Sequence, residues 1–121
     1  MKFRTSVTVM CAGLLLTGGA LAQDFKKMGG VLVNGAGMTV YTFDRDSGGK
    51  SACNGPCATN WPPVAAGADA KASGDWTIIT RDDGAKQWAY KGKPVYLWSK
   101  DAKPGDMTGD NFNNVWHVVK D

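Results

Sequence analysis

Few residues in this chain can do chemistry. Cys53 and Cys57 stand four apart around Asn54-Gly55-Pro56, with a third cysteine, Cys11, far upstream. A C-x3-C pair supports three chemistries: a disulfide, a soft metal site built from two thiolates, or thiol-disulfide exchange. His117 is the single imidazole, and Met38 and Met107 offer thioethers. Cys53, Cys57, His117 and Met107 together make a donor set suited to copper. Such a site wants a histidine close to the second cysteine, where Trp61-Pro62-Pro63 stands instead. A dithiol oxidoreductase usually has C-x-x-C at a helix start, and no helix signal follows Cys57. A structural disulfide is the expected state, with copper or thiol exchange as the alternative and no cofactor otherwise expected.

All 11 acidic residues are Asp, with no Glu. Asp44-Arg45-Asp46-Ser47-Gly48 resembles the start of a calcium loop, and Asp101, Asp106 and Asp110 crowd a second segment. Neither has the later carboxylate that completes such a loop. There is no G-x-S-x-G elbow, no H-E-x-x-H and no phosphate-cradling glycine loop leading into a helix, so the chain is not expected to be an enzyme. Net charge is +3, of which Lys2 and Arg4 contribute two, and basic and acidic residues are otherwise mixed. Nucleic acid, which needs a clustered basic surface, is not an expected partner.

The elements that must hold these residues are short. With 16 Gly and 5 Trp in 121 residues, and Asp in place of Glu, the composition favours strands joined by tight turns. Lys2 and Arg4, the apolar stretch Val7 to Leu16 and the small-x-small site Ala20-Leu21-Ala22 read as a secretory signal over 1–22, with Gln23 as the new N-terminus. Cys11 is discarded with it, because Thr8-Val9-Met10 lacks the small residues of a lipidation site. The mature chain keeps two cysteines and no transmembrane span.

Internal repetition organises what remains. Tyr41-Thr42-Phe43-Asp44-Arg45-Asp46 and Tyr96-Leu97-Trp98-Ser99-Lys100-Asp101 both read Y-x-aromatic-x-x-D at an offset of 55, and that offset also pairs Gly37 with Gly92, Val40 with Val95 and Trp61 with Trp116. Two units follow, at about 29–66 and 74–121. In the first, Val31-Leu32-Val33 and Met38 to Phe43 form a hairpin about Asn34-Gly35-Ala36-Gly37. In the second, Trp76 to Thr80, Lys86 to Tyr90 and Val95 to Trp98 form a meander, and Val115 to Val119 a last strand. Neither unit can bury an adequate face alone. The expected fold is one all-β domain, a small antiparallel barrel or sandwich with two pseudo-symmetric repeat units.

Within a strand, residues two apart share a face, so Tyr41 with Phe43, and Tyr96 with Trp98, should face the core. Asp46 and Asp101 fall just beyond the strand ends, where a carboxylate can accept backbone N–H groups and fix the exit. A metal or ligand role for the two Asp is the sharper alternative. Most Trp residues suit a small β core, while Trp61 and Trp116, repeat-equivalent and near loops, are the candidates for ligand contact.

The two hexads, the Ser51 to Cys57 turn followed by Trp61-Pro62-Pro63, the run Gln87 to Tyr96, and Val115-Trp116-His117-Val118-Val119 resemble the bacterial secreted-repeat family, also described as lipoproteins with this Y-x-aromatic-x-x-D motif. The resemblance implies an exported envelope protein of two such repeats, with no established function and a loose tie to hydrocarbon utilisation. The chain departs from the family's lipoproteins in lacking a lipidation motif. The reading is a non-enzymatic binding or interaction module, periplasmic or secreted, with an unidentified envelope ligand or protein as partner.

Overall fold

The computed structural model describes residues 25–120. The expected signal segment 1–22, Cys11 and Gln23 lie outside the described residues. The elements in chain order are β1 (Lys26–Met28), β2 (Val31–Val33), β3 (Tyr41–Phe43), α1 (Pro56–Asn60), β4 (Trp76–Thr80), β5 (Lys86–Tyr90), β6 (Lys93–Pro94), a 3-10 turn over Phe112–Asn114, and β7 (Trp116–Val118). They form antiparallel sheets β1-β2, β3-β7 and β4-β5-β6, an all-β, sandwich-like arrangement. No closed barrel forms among the described residues.

Consecutive residues of the inner strands bury on opposite sides, which marks the middle layer of the sandwich. Val31, Val33, Tyr41, Tyr96 and Val118 join one core cluster with Cys53, Trp61, Trp98 and Trp116. Their neighbours Leu32, Val40 and Val95 join a second cluster with Val64, Trp88 and Tyr90. A strand with both faces covered can be apolar at every position, as Val31-Leu32-Val33 is.

The two repeats are interlaced rather than stacked. Tyr41 and Tyr96 exchange both backbone hydrogen bonds, N–H to C=O at 2.8 and 2.9 Å, as one antiparallel pair. On its other side Tyr41 is registered with Val118, and on its other side Tyr96 is bridged to Pro63. Pro63 and Val118 are themselves 55 apart. The pairing is therefore symmetric about the two motif tyrosines, and the outer strand of each repeat completes the sheet of the other.

Several local expectations are corrected. Met38 to Phe43 is not one strand: Thr39 bridges Val33, and the chain then leaves the hairpin so that β3 pairs with β7. The hairpin turn itself holds, because the Asn34 side-chain oxygen accepts the N–H groups of Ala36 and Met38 at 2.9 and 3.0 Å. The turn after β5 is only Lys91-Gly92, at φ 50° and 83°, so pairing resumes at β6 instead of Val95. A helix does occur at the cysteines. Pro56 opens α1 at its first position, where a missing N–H costs nothing. β1 carries no sequence signal of its own, since Lys26-Lys27-Met28 is exposed throughout.

Candidate functional site

The motif tyrosines and aspartates meet across the repeats. The Tyr41 hydroxyl donates to Asp101 Oδ2 at 2.7 Å, and the Tyr96 hydroxyl to Asp46 Oδ2 at 2.6 Å. Each carboxylate also fixes its own loop, as the sequence suggested. Asp46 Oδ1 accepts the N–H of Ala52, and Asp101 Oδ1 accepts both the N–H and the hydroxyl of Thr108. The crossed tyrosine bonds join residues 50 and 60 positions apart, which no local pattern shows. Burial, and then the hydrogen bond to the facing carboxylate, push both phenols well above their ordinary range. Burial also raises the Asp46 carboxyl, against the hydrogen bonds from Tyr96 and Ala52 and the charge of Arg81.

Between the two tyrosines lies a column of rings. Trp61 and Trp116 stack at 3.8 Å and 2°, Trp98 covers the other face of the pair at 3.9 Å from Trp61, and Phe43 stacks on Trp116 at 4.1 Å. Trp61 and Trp116 are each 3% exposed. The two tryptophans expected to be candidates for ligand contact are thus core residues whose faces are occupied by other rings. Tyr41 and Tyr96 meet the column edge-on, at Trp61 and Trp116 respectively.

Cys53 and Cys57 are joined, S–S 2.02 Å, across the start of α1. The loop is braced by Arg81, a residue with no sequence signal. Only 5% exposed, its guanidinium donates to the Cys53 carbonyl, Ser51 Oγ, Gln87 Oε1 and Asn54 Oδ1. Ser51 in turn bonds the Tyr96 hydroxyl at 2.6 Å, so the disulfide loop and the Tyr96–Asp46 pair share one network.

His117 lies apart from this network in its bonding. Its Nε2 is 2.8 Å from Asp44 Oδ2 and its Nδ1 3.1 Å from Asn111 Oδ1. Met107 is an exposed side chain. Among the described residues, no group of three or more His, Cys or acidic side chains is gathered to hold a metal ion. Asp44 and His117 instead border a surface trough. Its two adjoining concavities, about 420 and about 320 Å³, share Thr42, Asp44, Lys91 and Lys93. The first is also lined by Phe43 and Asp46, and the second reaches Lys120.

Residues 25–65 and 77–120 each match the family described as a secreted repeat of unknown function. The chain belongs to that family. The two matches fall on the two interlaced units, each carrying one copy of the tyrosine, the aromatic and the aspartate. No curated protein and no solved structure matches the chain. Among the described residues of this secreted repeat protein, no helix is long and apolar enough to cross a membrane.

Proposed function

We propose that this protein is a non-enzymatic binding module of the cell envelope, acting in the periplasm or outside the cell, and that the trough over β3 and β7 receives an anionic group of its ligand. The carrying observation is the division of labour between core and trough. Most of the conspicuous motif residues are consumed by the core, in the crossed Tyr–Asp bonds and the ring column, while Phe43 and Asp46 also line the trough. The trough, in contrast, carries the charged side chains of Asp44, Lys91, Lys93 and Lys120 beside an apolar and glycine lining.

Charge favours an anion there. Asp46 is already engaged by Tyr96 and Ala52, and Asp44 faces His117. The ammonium groups of Lys93 and Lys120 stand on exposed residues at the edge. A hydrocarbon is a poorer match, because the trough sets Asp44, Lys93, Lys120 and His117 among its apolar lining residues Phe43, Tyr90, Pro94, Val118 and Val119.

The test is an NMR titration of the mature protein with inorganic phosphate, with succinate and with neutral maltose as probes. Shifts gathered at Thr42, Asp44, Lys93 and His117 for the two anions, weakened by Lys93→Gln, support the assignment. Shifts of equal size with maltose, or spread away from the trough, overturn it.

A further inference from the structure

Each repeat ends its sheet on an outer strand, and the two outer strands are built differently. β1 flanks β2 and β4 flanks β5, with β2 and the start of β5 at the 55-residue offset. β1 is only Lys26-Lys27-Met28, exposed throughout. Lysines on a short edge strand discourage a second chain from pairing there, because docking would strip their charges of water. β4 is Trp76-Thr77-Ile78-Ile79-Thr80, aromatic and β-branched with no charge, and its register with β5 runs without a bulge. It carries none of the devices that guard an edge.

The ladder shows which backbone groups that edge offers. At its two ends the Lys91 N–H donates to the Asp75 carbonyl at 2.7 Å, and the Arg81 N–H to the Ala85 carbonyl at 2.8 Å. Bonding residues alternate along an antiparallel pair, so Thr77 and Ile79 direct their backbone at β5 while Trp76, Ile78 and Thr80 direct theirs outward. Trp76 is satisfied by Ser73, which bonds both its N–H and its C=O, at 3.0 and 2.9 Å. The N–H and C=O of Ile78 and of Thr80 have no partner among the described residues. Ile79, between them, is half-buried and belongs to neither core cluster, whereas Ile78 packs against the second. We infer that β4 pairs antiparallel with β4 of a second copy of this chain, about a two-fold axis at Ile79, forming a reversible dimer whose two β4-β5-β6 sheets run on as one.

The unpaired groups select both the partner and the register. With the axis at Ile79, Ile78 of one copy stands opposite Thr80 of the other, and each such pair exchanges both backbone bonds. Every unpaired N–H and C=O on the two edges is then used. An axis at Ile78 sets Thr80 against Trp76, whose groups Ser73 already holds, and an axis at Thr80 sets Ile78 against Asp82 in the turn. At the Ile79 axis the two isoleucines face each other as a non-hydrogen-bonded pair, the closer kind, and shield each other from water. Two short strands bury little area, so association depends on concentration. With β1 guarded, the molecule offers one such edge, and the two-fold closes on a dimer instead of extending a sheet. No residue of β4 lines the trough, so this surface is separate from the proposed anion site.

The test takes the whole mature chain through rising concentration, followed by sedimentation velocity and amide NMR. Wild type should pass reversibly from monomer to dimer, with the Ile78 and Thr80 amides shifting and gaining protection from exchange. Ile79→Lys sets like charges face to face and should weaken dimerisation about tenfold or more. Crosslinking reads the register. Ile79→Cys should give a disulfide-linked dimer under mild oxidation, because facing residues of a non-hydrogen-bonded pair stand within disulfide reach. Thr77→Cys, set opposite Arg81 of the other copy, should not, and peptide mapping checks that Cys53–Cys57 stays intact. A chain that remains monomeric at every concentration overturns the inference. So does a dimer that Ile79→Lys leaves unchanged, one whose shifts gather at Phe112 and Met107 instead, or equal crosslinking from Thr77→Cys. The wild-type shifts are read without any substitution, so they do not depend on a variant folding.

Discussion

Raising the pH should unfold this protein through its two motif tyrosines. Tyr41 and Tyr96 are fully buried, and each donates to a carboxylate that would repel a phenolate. Their pKa values lie well above the ordinary phenol range in the folded state. The folded protein therefore keeps two protons that the unfolded chain releases above about pH 10. Their contribution is complete below that pH and is lost as the pH rises toward the folded values. Each withheld proton costs about 1.4 kcal/mol per pH unit, so the pair removes about 5 kcal/mol by pH 12. That loss is comparable with the whole stability of a small domain, about 5–15 kcal/mol. Urea unfolding between pH 8 and 12, read by tryptophan emission, should show a level plateau and then a steep fall. The Tyr41→Phe/Tyr96→Phe double variant should begin less stable at neutral pH and show a much shallower alkaline limb. If wild type and double variant lose stability in parallel between pH 10 and 12, the buried phenols are not the cause.

Gly109→Ala should destabilise by about 1–3 kcal/mol in thermal or urea melts, since an added Cβ would lie 2.6 Å from one Trp61 ring atom and 3.0 Å from a Trp98 ring atom; an unchanged melting point would mean the ring column is loosely packed. Arg81→Met should cost about 1–3 kcal/mol for each buried acceptor it strands, chiefly Gln87 Oε1 and the Cys53 carbonyl. Replacing Cys53 and Cys57 by Ser should lower stability by about 2 kcal/mol without abolishing the fold, because so short a ring restricts the unfolded chain little; the native protein should meanwhile resist thiol reagents until denatured and reduced. A fragment of residues 23–70 should show no cooperative melt, because Tyr41 and Pro63 find their strand partners in the second repeat.

The sequence by itself determined what depends on neighbouring residues or on repetition. Turn glycines, β-branched runs and the lack of Glu were enough for an all-β chain of short strands. The 55-residue offset separated the units, and the spacing Cys53 to Cys57 placed a local crosslink. Tyr41 and Tyr96 were legible as core because residues two apart share a strand face, and Asp46 and Asp101 as loop anchors because they sit just past the strand ends.

Only the tertiary structure decided which partners these residues take. The Tyr41–Asp101 and Tyr96–Asp46 bonds, the stacking of Trp61 on Trp116 and the pairing of β3 with β7 all join the two repeats. Tandem repeats carry the same local signals, so nothing in the order of residues distinguishes a unit that pairs with itself from one that pairs with its copy. Arg81 was illegible for the same reason: a lone arginine after a strand reads as solvated until Ser51, Cys53 and Gln87 converge on it. Helix α1 is too short for a periodic pattern and owes its turn to Pro56 and the disulfide that closes over it. What the chain could not spell out locally is the burial that joins one repeat to the other. That burial makes the motif phenols and carboxylates unusual, because a desolvated polar group is stable only where the fold supplies its partner.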